Sequence, residues 1–104
     1  MITKSVADRF KKMLQEHRFY EAHEVLEEFW YPKRFDDDNE VKLLKGLINA
    51  AVSFELMKKG RLESSKKVWR NYLKYRQLLF KINSKNINIY NDLIRYLDYF
   101  KQTL

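Results

Sequence analysis

Apolar residues recur along this chain at intervals of three and four, the period of helices that each turn one side toward a shared interior. The first stretch places Val6, Phe10, Met13 and Leu14 on a narrow stripe. Ser5-Val6-Ala7-Asp8 has the pattern of a helix start, a hydroxyl to cap free N–H groups and an acid near the positive pole. A helix is therefore predicted from about Ser5 to His17. A second runs from Phe19 to Trp30, with Phe19, Ala22, Leu26, Phe29 and Trp30 on one side, Glu21, Glu24 and Glu28 on the other, and His23 and Glu27 on the border. The connection between the two is too short for anything but an antiparallel hairpin.

Tyr31-Pro32 ends that pattern, because proline disfavours helix in the residue before it and cannot continue the ladder. Asp36, Asp37 and Asp38 follow, without the glycine and spacing of a calcium loop, and read as caps for the next helix. That helix, Asn39 to about Lys59, is apolar almost all round and so belongs at the centre of a bundle. Its small residues Gly46, Ala50 and Ser53 form a strip where another backbone can come close, which would offset the helix propensity that glycine loses. Lys58-Lys59-Gly60 supplies cations and a left-handed residue at its end.

A fourth helix is predicted from Leu62 to about Ile82. Its inner face would carry Leu62, Val68, Trp69, Tyr72, Leu73, Tyr75, Leu79 and Phe80, and its outer face Lys67, Arg70, Lys74 and Lys81. Arg76 falls in the apolar sector, where a guanidinium needs a carboxylate or a route to water. A fifth helix, Asn88 to Gln102, closes the set through Ile89, Leu93, Ile94, Tyr96, Leu97 and Phe100. The expected fold is all-α, one domain over residues 1–104, a bundle of about five helices with antiparallel neighbours.

Composition agrees with that picture. Hydrophobic residues make up 45% and aromatics 15% of the 104 residues, ample for one core. Two Gly and one Pro leave little material for the turns of a many-stranded sheet. The absence of Cys excludes disulfides and thiolate metal sites. No apolar run is long enough to span a bilayer and the N-terminus is charged, so a soluble cytoplasmic protein is expected. The net charge of +7 is uneven: Lys58 to Lys85 holds ten basic residues against the single acid Glu63.

The candidate chemistry lies in Phe-Tyr-Glu-Ala-His-Glu-Val-Leu-Glu-Glu-Phe-Trp, residues 19–30. His23, Glu24 and Glu27 have the form His-Glu-x-x-Glu, in which His23 and Glu27 share a face and could both reach a divalent cation while Glu24 acts as base on its water. A third protein ligand is missing from the spacing; His17 and the Asp36 to Asp38 loop are the sources available. The plainer expectation is a structural or ligand-contacting network, with His23 hydrogen-bonded at the rim of the core and Glu27 neutralising Arg76. No nucleophile has a recognisable base beside it and no phosphate-binding glycine loop is present, so enzyme activity is not favoured and no cofactor is assigned. The basic face of Lys67, Arg70, Lys74 and Lys81 could instead contact nucleic acid or an acidic partner. One copy of a tetratricopeptide-like helical pair is suggested by the run from Leu43 to Leu79, short of the repeats that such arrays need. Tyr31, Phe35, Tyr90, Tyr96 and Tyr99 could leave an apolar patch for a homodimer.

Residues 19–30 followed by Lys-Gly-Leu-Ile-Asn-Ala-Ala-Val and then Lys-Lys-Gly-Arg resemble the family known as domain of unknown function 309, over Phe19 to Arg61. The resemblance implies a small all-helical bacterial or archaeal protein whose biochemical role is not established. Its motif falls on Glu21, Ala22, His23, Glu24, Leu26, Glu27, Trp30, Gly46, Leu47, Ile48 and Gly60. Lys45 and Asn49 stand where that family usually has Gln, Arg61 where Asn is common, and Leu56 where a second His often occurs; the loss of that His counts against a two-histidine metal centre.

Overall fold

The structure, a computed structural model, describes residues 2–104. It contains α1 (Lys4–Gln15), α2 (Phe19–Trp30), α3 (Asn39–Lys58), α4 (Leu62–Arg76) and α5 (Ile87–Thr103), with 3₁₀ turns at Tyr31–Lys33 and Gln77–Lys81. Among the described residues there is no strand.

α1 begins earlier than Ser5: Thr3 is the N-cap, its hydroxyl accepting from the Val6 N–H at 3.2 Å. The aspartate run caps α3 as expected, with the Asp38 carboxylate accepting from the Glu40 N–H at 2.7 Å and Asp37 paired to Lys42 at 2.7 Å. α1 and α3 end in the same way. Gly60 takes φ +76° and His17 takes φ +57°. The Gly60 and Arg61 N–H groups reach back to Met57 and Leu56 at 3.0 and 2.9 Å, and those of His17 and Arg18 to Leu14 and Met13 at 3.0 and 2.9 Å. This is the double hydrogen bond that satisfies the last carbonyls of a helix and turns the chain back on itself. The molecule thus opens with two successive helical hairpins, α1 with α2 and α3 with α4, built on one corner geometry.

α3 is the central element, burying Val41, Leu43, Leu44, Leu47, Ile48, Ala50, Ala51 and Phe54. The close approach predicted along its small residues is present, and α4 is the partner at Gly46 and Ser53. A Cβ on Gly46 would stand 2.6 Å from the Tyr75 Cβ. Farther along, the Ser53 hydroxyl donates to the Ser65 carbonyl at 2.9 Å and the Ser65 hydroxyl to the Ser53 carbonyl at 2.7 Å, so two buried hydroxyls are satisfied across the same crossing. α5 lies parallel to α1 and α3. Tyr90 reaches Glu40, Tyr96 reaches the Lys11 carbonyl, and Phe100 meets Phe54 and His17.

α4 is shorter than the sequence pattern suggests. It stops at Arg76 and the chain continues as a 3₁₀ turn, where side chains repeat every three residues. Leu79 is buried by this change of period, whereas Phe80, expected inside, is 88% exposed. Leu62, also expected on the inner face, is 55% exposed at the first turn of α4.

Candidate functional site

α2 starts directly after the His17 corner, with the Arg18 side chain reaching Glu21 at 3.2 Å and Glu16 at 3.4 Å. Phe19, Ala22, Val25 and Leu26 are buried against the bundle. That packing fixes the rotation of the helix and leaves the residues one step around it at the boundary with solvent. His23 and Glu27 lie there one turn apart, and the His23 Nε2 is in direct contact with a Glu27 carboxylate oxygen. Glu24 and Glu28 are exposed beside them.

These side chains line a groove of about 370 Å³ together with Tyr20 and Tyr31. The Tyr20 ring stands edge-on to His23 with centroids 5.8 Å apart. The contact of Nε2 with Glu27 leaves the other ring nitrogen, Nδ1, to find a partner of its own. That Nδ1 is buried and has no hydrogen-bond partner among the described residues. The expected structural network is therefore half present: the ring is oriented by one carboxylate, and its other nitrogen is unfilled.

Arg76 does not join it. The guanidinium pairs with Asp98 on α5 at 2.6 Å and lies 5.7 Å from the Tyr72 ring centroid, while the Tyr72 hydroxyl donates to the same carboxylate at 3.0 Å. Asp98 rather than Glu27 neutralises the arginine. Trp30 lies half-buried at the end of α2 with the Lys45 ammonium 5.3 Å from its ring, and it does not line the groove.

His23 and Glu27 offer two ligands to a cation and the structure brings no third to them. Among the described residues no group of three or more His, Cys, Asp or Glu is gathered to hold a metal ion. His17 stacks on Phe19 at 5.1 Å, Asp37 is paired with Lys42, and Asp38 caps α3, while Asp36 is exposed in the same loop.

Lys67, Arg70 and Lys74 are exposed on α4, and Lys81 is exposed at the end of the 3₁₀ turn beyond it. Of the aromatics expected to form a surface patch, Tyr31, Phe35 and Tyr99 are exposed. Tyr90 is fully buried, its hydroxyl donating to Glu40 at 2.8 Å, and Tyr96 is half-buried. No helix among the described residues is long and apolar enough to cross a membrane.

Comparison with known proteins agrees with the motif. Neither the curated proteins nor the solved structures contain a match to this chain. The family described as Domain of unknown function (DUF309) matches residues 7–68, more than half of the chain, from α1 into the first half of α4 and including the whole of α2 and α3. With the Glu-Ala-His-Glu helix and the Ser53–Ser65 contact of α3 with α4 inside the matched span, the chain belongs to the DUF309 family.

Proposed function

We propose that this protein is a small binding module and that the groove around His23 and Glu27 is its ligand-contacting surface. The observation that carries this reading is the buried, unpartnered His23 Nδ1 beside a groove whose other walls are exposed carboxylates and tyrosine rings. A buried polar nitrogen without a hydrogen-bond partner costs free energy on the order of 1–3 kcal/mol, and a ligand group that bonded to it would recover that cost. Glu24, Glu27 and Glu28 favour a cationic group, and the faces of Tyr20 and Tyr31 suit an ammonium or guanidinium. The ligand class is therefore a partner presenting an amine or guanidine, small enough to enter from the side of α2.

The test is a nuclear magnetic resonance titration of the protein, with spermidine, arginine amide and Zn²⁺ as separate probes. Saturable shifts of the His23 ring and of Tyr20 and Tyr31 with either amine, lost in Glu27→Gln while the circular dichroism is unchanged, are the expected result. If the amines leave these resonances in place at millimolar concentration, the reading fails. A response to Zn²⁺ alone replaces it with a metal site.

A second reading has its own observation. Lys67 and Arg70 are exposed without a carboxylate partner among the described residues, and Lys74 is engaged only over the Tyr75 ring at 5.8 Å. Three such cations on one helix face suit a phosphate backbone. Binding through them is expected to weaken with salt at a log–log slope of about −3 for duplex DNA. A slope near zero, or no binding at low salt, sets this reading aside.

A further inference from the structure

Leu62 and Trp69 were expected to close the core, and they leave a groove instead. Met57 at the end of α3, Leu62 and Trp69 on α4 and the Lys101 side chain of α5 surround a space of about 290 Å³, with Lys66 and Arg70 completing its rim. Trp69 is seated firmly, its ring centroid 5.6 Å from Phe54 and 4.6 Å from Tyr72. Its exposed part faces the groove, with the Lys101 ammonium 5.5 Å from the ring. A neighbouring hollow of about 220 Å³ shares Met57 and is walled by Phe19, Phe54 and Leu104, with His17 and Lys58 at its edge.

The charged side chains around the first groove, Lys66, Arg70 and Lys101, are all positive. Lys66 has a loose, exposed pairing with Glu63 at 3.6 Å, and Arg70 and Lys101 have no carboxylate partner among the described residues. The segment from Lys58 to Lys85 that supplies most of the rim contains no other acid than Glu63. Apolar surface left open to water is unfavourable, and three cations held at its margin repel one another, so an occupant with an apolar tail and one negative head relieves both. The volume is at the lower limit for ligand sites, below that of a typical drug-sized molecule.

We propose that the groove between the start of α4 and the end of α5 binds a small amphipathic carboxylate, an alkyl or aryl acid, with its tail over Met57, Leu62 and Trp69 and its head group between Arg70 and Lys101. The site is separate from the His23 groove on α2, so either can fail alone.

Trp69 is one of two tryptophans, and the other, Trp30, lies on α2 away from the groove, which supplies an internal control. The experiment follows both indole N–H resonances while decanoate is added to the full chain below its micelle concentration, with decanol, acetate and polyglutamate as comparisons. Decanoate is expected to move the Trp69 signal saturably and leave that of Trp30 in place. Arg70→Gln and Lys101→Gln should each weaken the binding about tenfold, the usual worth of a charge-assisted hydrogen bond, while Lys67→Gln leaves it unchanged. The proposal is overturned if Trp69 does not respond to decanoate, if decanol acts equally well, or if the two charge variants bind as the parent does. A response to polyglutamate without one to decanoate also overturns it, in favour of an acidic protein partner.

Discussion

Tyr72 and Tyr90 lie in the core wholly shielded from solvent, and each phenol hydroxyl ends on a carboxylate, Asp98 and Glu40 respectively. Burial, and then the adjacent carboxylate, push both phenols well above the ordinary tyrosine range. The stability they contribute is fully present below the unfolded pKa of about 10 and is lost as pH rises above it, because only the unfolded chain then releases the protons. Each should cost about 1.4 kcal/mol per pH unit in that window. Urea denaturation between pH 9 and pH 12 is expected to show this slope, and Tyr90→Phe should remove about half of it. At His17 the backbone is the issue. A side chain in the left-handed region costs about 1–2 kcal/mol, and histidine is among the residues that tolerate it best. His17→Val and His17→Gly both delete the ring that stacks on Phe19, so the difference between them reads the backbone alone. The valine variant is expected to be the less stable by about 1–2 kcal/mol in urea melts.

Among the elements, the α3–α4 crossing is the most constrained. Gly46 faces the Cβ of Tyr75, an atom next to the backbone that cannot swing aside. Gly46→Ala would gain up to about 1 kcal/mol of helix propensity and lose about 1–3 kcal/mol to overpacking. The net expectation is a lower melting temperature, whereas the same change at an exposed helical glycine would raise it. Ser53 and Ser65 add to the constraint, because each hydroxyl donates to the other residue's carbonyl and removing either deletes one of two buried hydrogen bonds across the crossing. This crossing also orients α4, and with it the exposed positions of Leu62, Arg70 and the groove against α5.

At the scale of the molecule, the DUF309 match ends at residue 68, inside α4, while the core does not. α5 buries Tyr90, Leu93, Ile94, Leu97 and Phe100 and supplies Asp98 to Arg76. Five such side chains at about 1.5–3 kcal/mol each exceed most of the 5–15 kcal/mol by which small proteins are stable. A chain truncated after Asn86 is expected to lose cooperative thermal unfolding, and calorimetry that still showed a sharp transition would mean that the two hairpins hold together alone. The charge distribution has a structural counterpart at this scale: the acidic groove belongs to the second helix of the first hairpin, and the basic row to the second helix of the next.

The amino-acid order by itself determined the features that depend on neighbours a few residues away. Helical period, the stop at Tyr31-Pro32, the aspartate cap of α3, the left-handed Gly60 and the close approach offered by Gly46, Ala50 and Ser53 are all local consequences of side-chain size, hydrogen-bonding groups and backbone freedom. The pairing of His23 with Glu27 was legible for the same reason, since residues one turn apart must meet. Only tertiary structure decided which of the 14 acids would neutralise Arg76, because Asp98 comes to it through the return of α5 and nothing in the spacing singles it out. It also decided that Leu62 and Phe80 would be exposed, that His17 would take a glycine-like conformation, and that Met57, Trp69 and Lys101 would surround one space. Those outcomes depend on the angle and depth at which whole helices pack, which periodicity along a single helix does not encode.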